Sequence, residues 1–193
     1  MDPLAAALDS LHATDPERDG GRPAEALYAD YITGWVNRLV TSPSAALRLA
    51  ARAQHLERWT IPRSSYPLDK VGYHRWRKAV QVRQGERAQE TLLTAGAAAE
   101  LATRVGRLVG KAAPTGDPEA QALEDAACLV FLDQELPGFA AAHPDYTIER
   151  WYGIVQKTWR KMSPDAHTLA LSLPLRADLK AIVMAAISAL PTA

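Results

Sequence analysis

Asp117-Pro118-Glu119-Ala120-Gln121-Ala122-Leu123-Glu124-Asp125-Ala126-Ala127-Cys128-Leu129-Val130-Phe131-Leu132 contains the punctuation that sets the fold. A proline in the first turn of a helix sacrifices no hydrogen bond, and an Asp just before it can cap the turn. Leu123, Ala126, Ala127, Leu129, Val130, Phe131 and Leu132 then make the segment apolar nearly all round, the pattern of a helix buried on most sides. The same device recurs. Pro23, Pro43 and Pro164 each precede a periodic apolar run, and Ser42 and Ser163 stand before the last two. The spacing predicts helices over residues 3–11, 23–40, 43–59, 69–95, 97–111, 118–134, 147–161, 164–172 and 178–190, with a break in the long one near Gly85. No sustained apolar–polar alternation and no Asn-Gly or Asp-Gly hairpin between β-branched runs marks a strand. The expected class is all-α, a single-domain helical bundle. Residues 1–22 read as an N-terminal helix and a flexible polar lead-in, and residues 23–193 as the domain.

The whole chain bounds the function classes. It has 193 residues, 48% of them hydrophobic and 7% aromatic, with 22 basic against 22 acidic side chains. A net charge of zero argues against a generically basic nucleic-acid binder. One cysteine, Cys128, excludes a disulfide framework or a Cys-rich zinc site and suits a reducing compartment. No apolar run is long enough to span a membrane, and Met1-Asp2-Pro3 does not open a signal peptide, so a cytoplasmic location is expected. No nucleotide-cofactor motif is present.

The charge is unevenly placed. Arg48 to Arg87 holds ten basic and three acidic residues, whereas Asp117 to Glu149 holds eight acidic residues and no Lys or Arg. The zero is therefore a sum of opposed blocks, read either as complementary solvated faces or as the two sides of a site. Glu124 and Asp125 sit within the most apolar helix. A carboxylate there needs a cation, a metal or a proton, so they either form salt bridges with the Arg-rich segment or line a pocket.

The segment Gln54 to Arg77 gathers two His, four Arg, two Trp and two Tyr around the stiff connection Thr60-Ile61-Pro62-Arg63-Ser64-Ser65-Tyr66-Pro67-Leu68. It reads as an anion-binding acid–base site or as a structural Arg–aromatic network. On the first reading, Arg58, Arg63 and Arg77, with Trp59, Ser64, Tyr66 and Tyr73, hold a carboxylate or phosphate. His55 is then the general acid or base, helped by His74, Asp125 or Glu124. The final helix is read as core or a homodimer face. Trp151, Trp159, Tyr146 and Tyr152 are read as core, and Arg160, Lys161 and His167 as a solvated rim.

Blocks of this sequence resemble the family described as domain of unknown function 4202. They are Gln54-His55-Leu56-Glu57-Arg58-Trp59, Ile61-Pro62-Arg63-Ser64-Ser65-Tyr66-Pro67, Gly72-Tyr73-His74-Arg75-Trp76-Arg77, Leu123-Glu124-Asp125-Ala126-Ala127-Cys128-Leu129-Val130-Phe131-Leu132 and Lys157-Thr158-Trp159-Arg160-Lys161-Met162-Ser163. A more distant resemblance is to the HD superfamily of helical metal-dependent phosphohydrolases and its di-iron oxygenase branch. Leu49-Ala50-Ala51-Arg52-Ala53-Gln54-His55 is similar to the run leading into the His-Asp pair of that fold. It implies a divalent metal on His55 and Asp125. Two departures follow: Leu56 replaces the Asp of the pair, and Gln84 stands where related sequences carry a His. The resemblance therefore implies an HD-like scaffold with a weakened or absent metal centre. The expected function is a small-molecule enzyme acting on an anionic ligand by His–carboxylate chemistry. The alternatives are a metal-dependent phosphohydrolase or oxygenase, and a non-catalytic module for a metabolite or nucleic acid.

Overall fold

Asp117 caps as its position predicts: its Oδ1 accepts the N–H groups of Glu119 and Ala120, and Ser163 Oγ accepts that of Ala166. The computed structural model describes residues 2–190. In chain order its elements are α1 (Pro3–His12), β1 (Arg18–Asp19), β2 (Arg22–Pro23), α2 (Ala24–Leu39), α3 (Ala45–Arg52), α4 (Lys70–Thr94), α5 (Ala99–Val109), α6 (Pro118–Val130), α7 (Leu136–Ala142), α8 (Ile148–Trp159), α9 (Pro164–Leu171) and α10 (Ala177–Ser188). The protein is all-α apart from one antiparallel hairpin of two residues per strand, Arg18 with Pro23 and Asp19 with Arg22. No helix among the described residues is long and apolar enough to cross a membrane.

Five local expectations are corrected. The hairpin replaces part of the polar lead-in, because Gly20 and Gly21 take the positive φ angles that a two-residue turn requires. The cap of α3 is Ser44, not Ser42; its Oγ accepts from Leu47 N–H. Helix α3 stops at Arg52 rather than near residue 59. Finally, α4 runs unbroken through Gly85, and α7 is an added helix. A π-helical turn over Phe131–Glu135 joins α6 to α7. Pro137 has no N–H to return to the Asp133 carbonyl, and the widened turn absorbs the missing bond.

The chain divides into two compact units, Met1–Leu123 and Glu124–Ala193, with the boundary inside α6. In the first, α4 packs along α5, and α3 lies against α2 and α5. Leu8, Ile32, Leu47, Leu56, Leu92, Leu108 and Leu123 are fully buried there. Each removes an apolar side chain from water, worth about 1.5–3 kcal/mol. In the second, α8 packs against α10, which buries Leu179, Val183 and Ala186 and leaves Met184 exposed. Trp151 is buried and Trp159 half-buried, stacked on His167 at 3.8 Å.

Gly85 shows why α4 does not break. A Cβ there would lie 2.6 Å from the Gly106 carbonyl oxygen and 2.9 Å from Gly110 Cα. Both are backbone atoms, so the α4–α5 crossing is closed by glycine. Gly85→Ala gains about 1 kcal/mol of helix propensity but overpacks this crossing by about 1–3 kcal/mol. The expected outcome is a net loss, seen as a lower urea midpoint.

Candidate functional site

The residues after α3 depart from helix in an unusual way. His55 and Glu57 both have positive φ, 60° and 50°. Neither is glycine, so each conformation costs about 1–2 kcal/mol and must be held by its surroundings. Leu56 between them is fully buried. On one side, His55 Nδ1 lies 3.0 Å from Glu25 Oε2, and its ring stacks on Tyr28 at 3.7 Å and 7°. On the other, Glu57 accepts from Arg87 Nε at 2.9 Å, with Arg83 at 3.6 Å. The left-handed pair is thus clamped from α2 and from α4.

Arg58 follows in a single 3-10 turn, Arg58–Thr60. Its Nη1 lies 3.2 Å from His55 Nε2 and 3.3 Å from Nδ1. Near-equal distances to both nitrogens place the guanidinium across the imidazole ring. Its other neighbour is Trp76, 5.4 Å from the ring centroid. Trp76 is itself buried and donates its indole N–H to the Ile61 carbonyl at 2.8 Å. Arg58 is half-buried and has no carboxylate partner among the described residues. Arg52, Arg87 and Arg104, by contrast, are all ion-paired: Arg52 with Asp9 and Asp30, Arg87 with Glu57 and Glu90, Arg104 with Asp117 and Glu119.

The other expected site residues fall into three groups. Arg63 is spent on the loop: its guanidinium donates to the carbonyls of Tyr66 and Pro67 at 3.0 and 2.7 Å and also reaches that of Asp69. That fixes the connection before α4 and leaves Arg63 a staple, with Tyr73 and Trp76 flanking it. Ser64 is exposed, Tyr66 and Trp59 are half-buried, and His74, Tyr73 and Arg77 are exposed on α4. Asp125 and Glu124 belong to the second unit. Asp125, 3% exposed, accepts the Ser163 N–H at 2.8 Å, and Glu124 pairs with Lys161 at 3.1 Å. Both carboxylates therefore tie α6 to the turn that starts α9.

A family model described as Domain of unknown function (DUF4202) matches residues 3–183. The chain belongs to the DUF4202 family. The match runs through both compact units of this DUF4202 chain. No curated protein and no solved structure matches it.

Among the described residues no group of three or more His, Cys, Asp or Glu is placed to hold an ion. His55 Nδ1 meets Glu25 in the first unit, and Asp125 accepts from Ser163 in the second.

Sequence reasoning missed three members of this region: His12, Glu25 and Tyr28. His12 is fully buried, with Nε2 2.7 Å from the Arg52 carbonyl and no partner on Nδ1. Its signal was the spacing Leu4–Leu8–His12, which sets the imidazole on the apolar stripe of α1. Burial pushes its pKa below the ordinary 6.5, against the opposing pull of the Arg52 carbonyl. The unfolded chain therefore binds a proton near pH 6.5 that the folded chain refuses until lower pH. Stability is expected to fall as pH drops below about 6.5. In His12→Gln the slope of unfolding free energy against pH between 6.5 and 5 should flatten; an unchanged slope would place the titrating group elsewhere.

Proposed function

We propose that the first unit carries an acid–base site for an anionic small molecule, a carboxylate or phosphate. Arg58 takes the anion, His55 moves the proton, and Glu25 orients the imidazole. The observation that carries this reading is Arg58: a half-buried guanidinium between two rings, with no carboxylate partner among the described residues. A partly desolvated cation without a counter-charge is costly, and a bound anion offsets that cost. A guanidinium also matches carboxylate and phosphate in a bidentate way.

The chemistry follows from the ring. A carboxylate on Nδ1 favours the Nδ1–H tautomer and stabilises the imidazolium when it forms. Nε2, on the side away from Glu25, then exchanges the proton with the ligand held by Arg58. The clamped left-handed backbone fixes His55 in place before the ligand arrives, which is how strain at a site serves preorganisation. Glu25 thereby takes the partner role that the sequence assigned to Asp125 or Glu124. On this reading the scaffold is HD-like and its chemistry runs on side chains. The single cysteine suits the cytoplasm, where phosphorylated and carboxylated metabolites are held.

Calorimetric titration with inorganic phosphate tests the assignment. Arg58→Gln should weaken binding at least about tenfold, the loss of one charge-assisted contact. Arg77→Gln, exposed on α4, should leave it within about twofold. Equal affinities for the two variants and the parent would contradict the reading.

A further inference from the structure

Helix α4 presents a second feature, a largely exposed face over residues 71–86. We propose that this outer face is a docking groove for an acidic amphipathic helix of a partner protein. Val71, His74, Arg75, Lys78, Val82 and Arg83 line a surface cavity of about 760 Å³. Val71 and Val82 are 59% and 41% exposed, although valine is a residue that folding usually buries. They stand eleven residues apart, three helical turns, and therefore on the same side of α4 about 16 Å from each other.

Charge selects the occupant. Between the two valines lie Arg75 and Lys78, neither of which has an ion-pair partner among the described residues. Arg83 reaches Glu57 only at 3.6 Å. The one carboxylate in the lining is Glu86, at the C-terminal end. A small anion satisfies the cations but cannot reach both valines. A partner helix with an apolar stripe and flanking carboxylates does both, placing apolar side chains on Val71 and Val82 and acids on Arg75 and Lys78. This is the helix-in-groove mode, with charge fixing the register.

The test uses the full chain and a labelled synthetic 18-residue helix with Leu along one face and Glu on the others, read by fluorescence anisotropy. The Glu peptide should bind saturably, more weakly as salt rises. Arg75→Glu with Lys78→Glu should weaken it at least about tenfold, and Val82→Asp by a similar factor. These side chains are exposed, so the variants should retain the parent's circular dichroism spectrum. A peptide with Lys in place of every Glu should not bind. The proposal is overturned if the Glu peptide fails to saturate or binds the charge-reversed variant equally well. It is also overturned if the chain prefers phosphatidylserine–phosphatidylcholine vesicles to the peptide, which would make the face a lipid surface.

Discussion

Trp76→Ala is expected to cost about 3–5 kcal/mol of stability, the range for deleting a buried aromatic side chain. Trp76 joins three things that the sequence keeps apart. Its ring is buried on α4, its N–H satisfies the Ile61 carbonyl, and its π face lies beside Arg58 and Arg63. Truncation opens a cavity and leaves a carbonyl unsatisfied. It also removes one ring from each of two guanidinium groups. Trp76→Phe separates these effects: much of the ring remains and the indole N–H is lost, so about 1–2 kcal/mol is expected. Urea unfolding of both variants checks the ordering. An alanine variant within 1 kcal/mol of the parent would mean that the connection between α3 and α4 is held by other contacts.

Leu56→Ala should be nearly as damaging, at about 3–4 kcal/mol. Leu56 is wholly buried and flanked by two non-glycine residues in the left-handed region. Together those residues store about 2–4 kcal/mol of backbone strain, which the buried leucine and the flanking contacts to Glu25 and Arg87 hold in place. With the anchor shortened, the turn can relax toward ordinary backbone angles and carry His55 away from Glu25. Phosphate affinity should therefore fall together with stability. A stable Leu56→Ala variant with unchanged phosphate affinity would show that the turn is held without its anchor.

The helices were legible because their starts are written locally. Asp117-Pro118 and Ser163-Pro164 fix both the cap and the first turn, and α6 and α9 begin where those residues predict. The end of α3 was not legible. Ala53, Gln54, His55 and Leu56 contain no glycine or proline, and by propensity alone the helix continues. It stops because Glu25 and Arg87, thirty residues away on either side, hold His55 and Glu57 in conformations that a local reading excludes. The site followed the same division. His55 and Arg58 stood out from their crowded neighbourhood, whereas the tryptophan singled out there was Trp59 and not the buried Trp76 beside Arg58. Glu25 and Tyr28 carry no pattern of their own and join the site only through the packing of α2 on α3. Arg63 was read as an anion ligand because sequence shows a guanidinium but not the loop carbonyls to which it donates.

The assignment of Arg58 and His55 to one anion site is tested most directly by NMR of the His55 ring nitrogens during titration with inorganic phosphate at constant ionic strength. Expected is a saturable shift of the His55 signals, lost in Arg58→Gln and retained in Arg77→Gln, with His167 unmoved. His55 signals that stay still, or that move equally in the Arg58→Gln variant, would contradict the site.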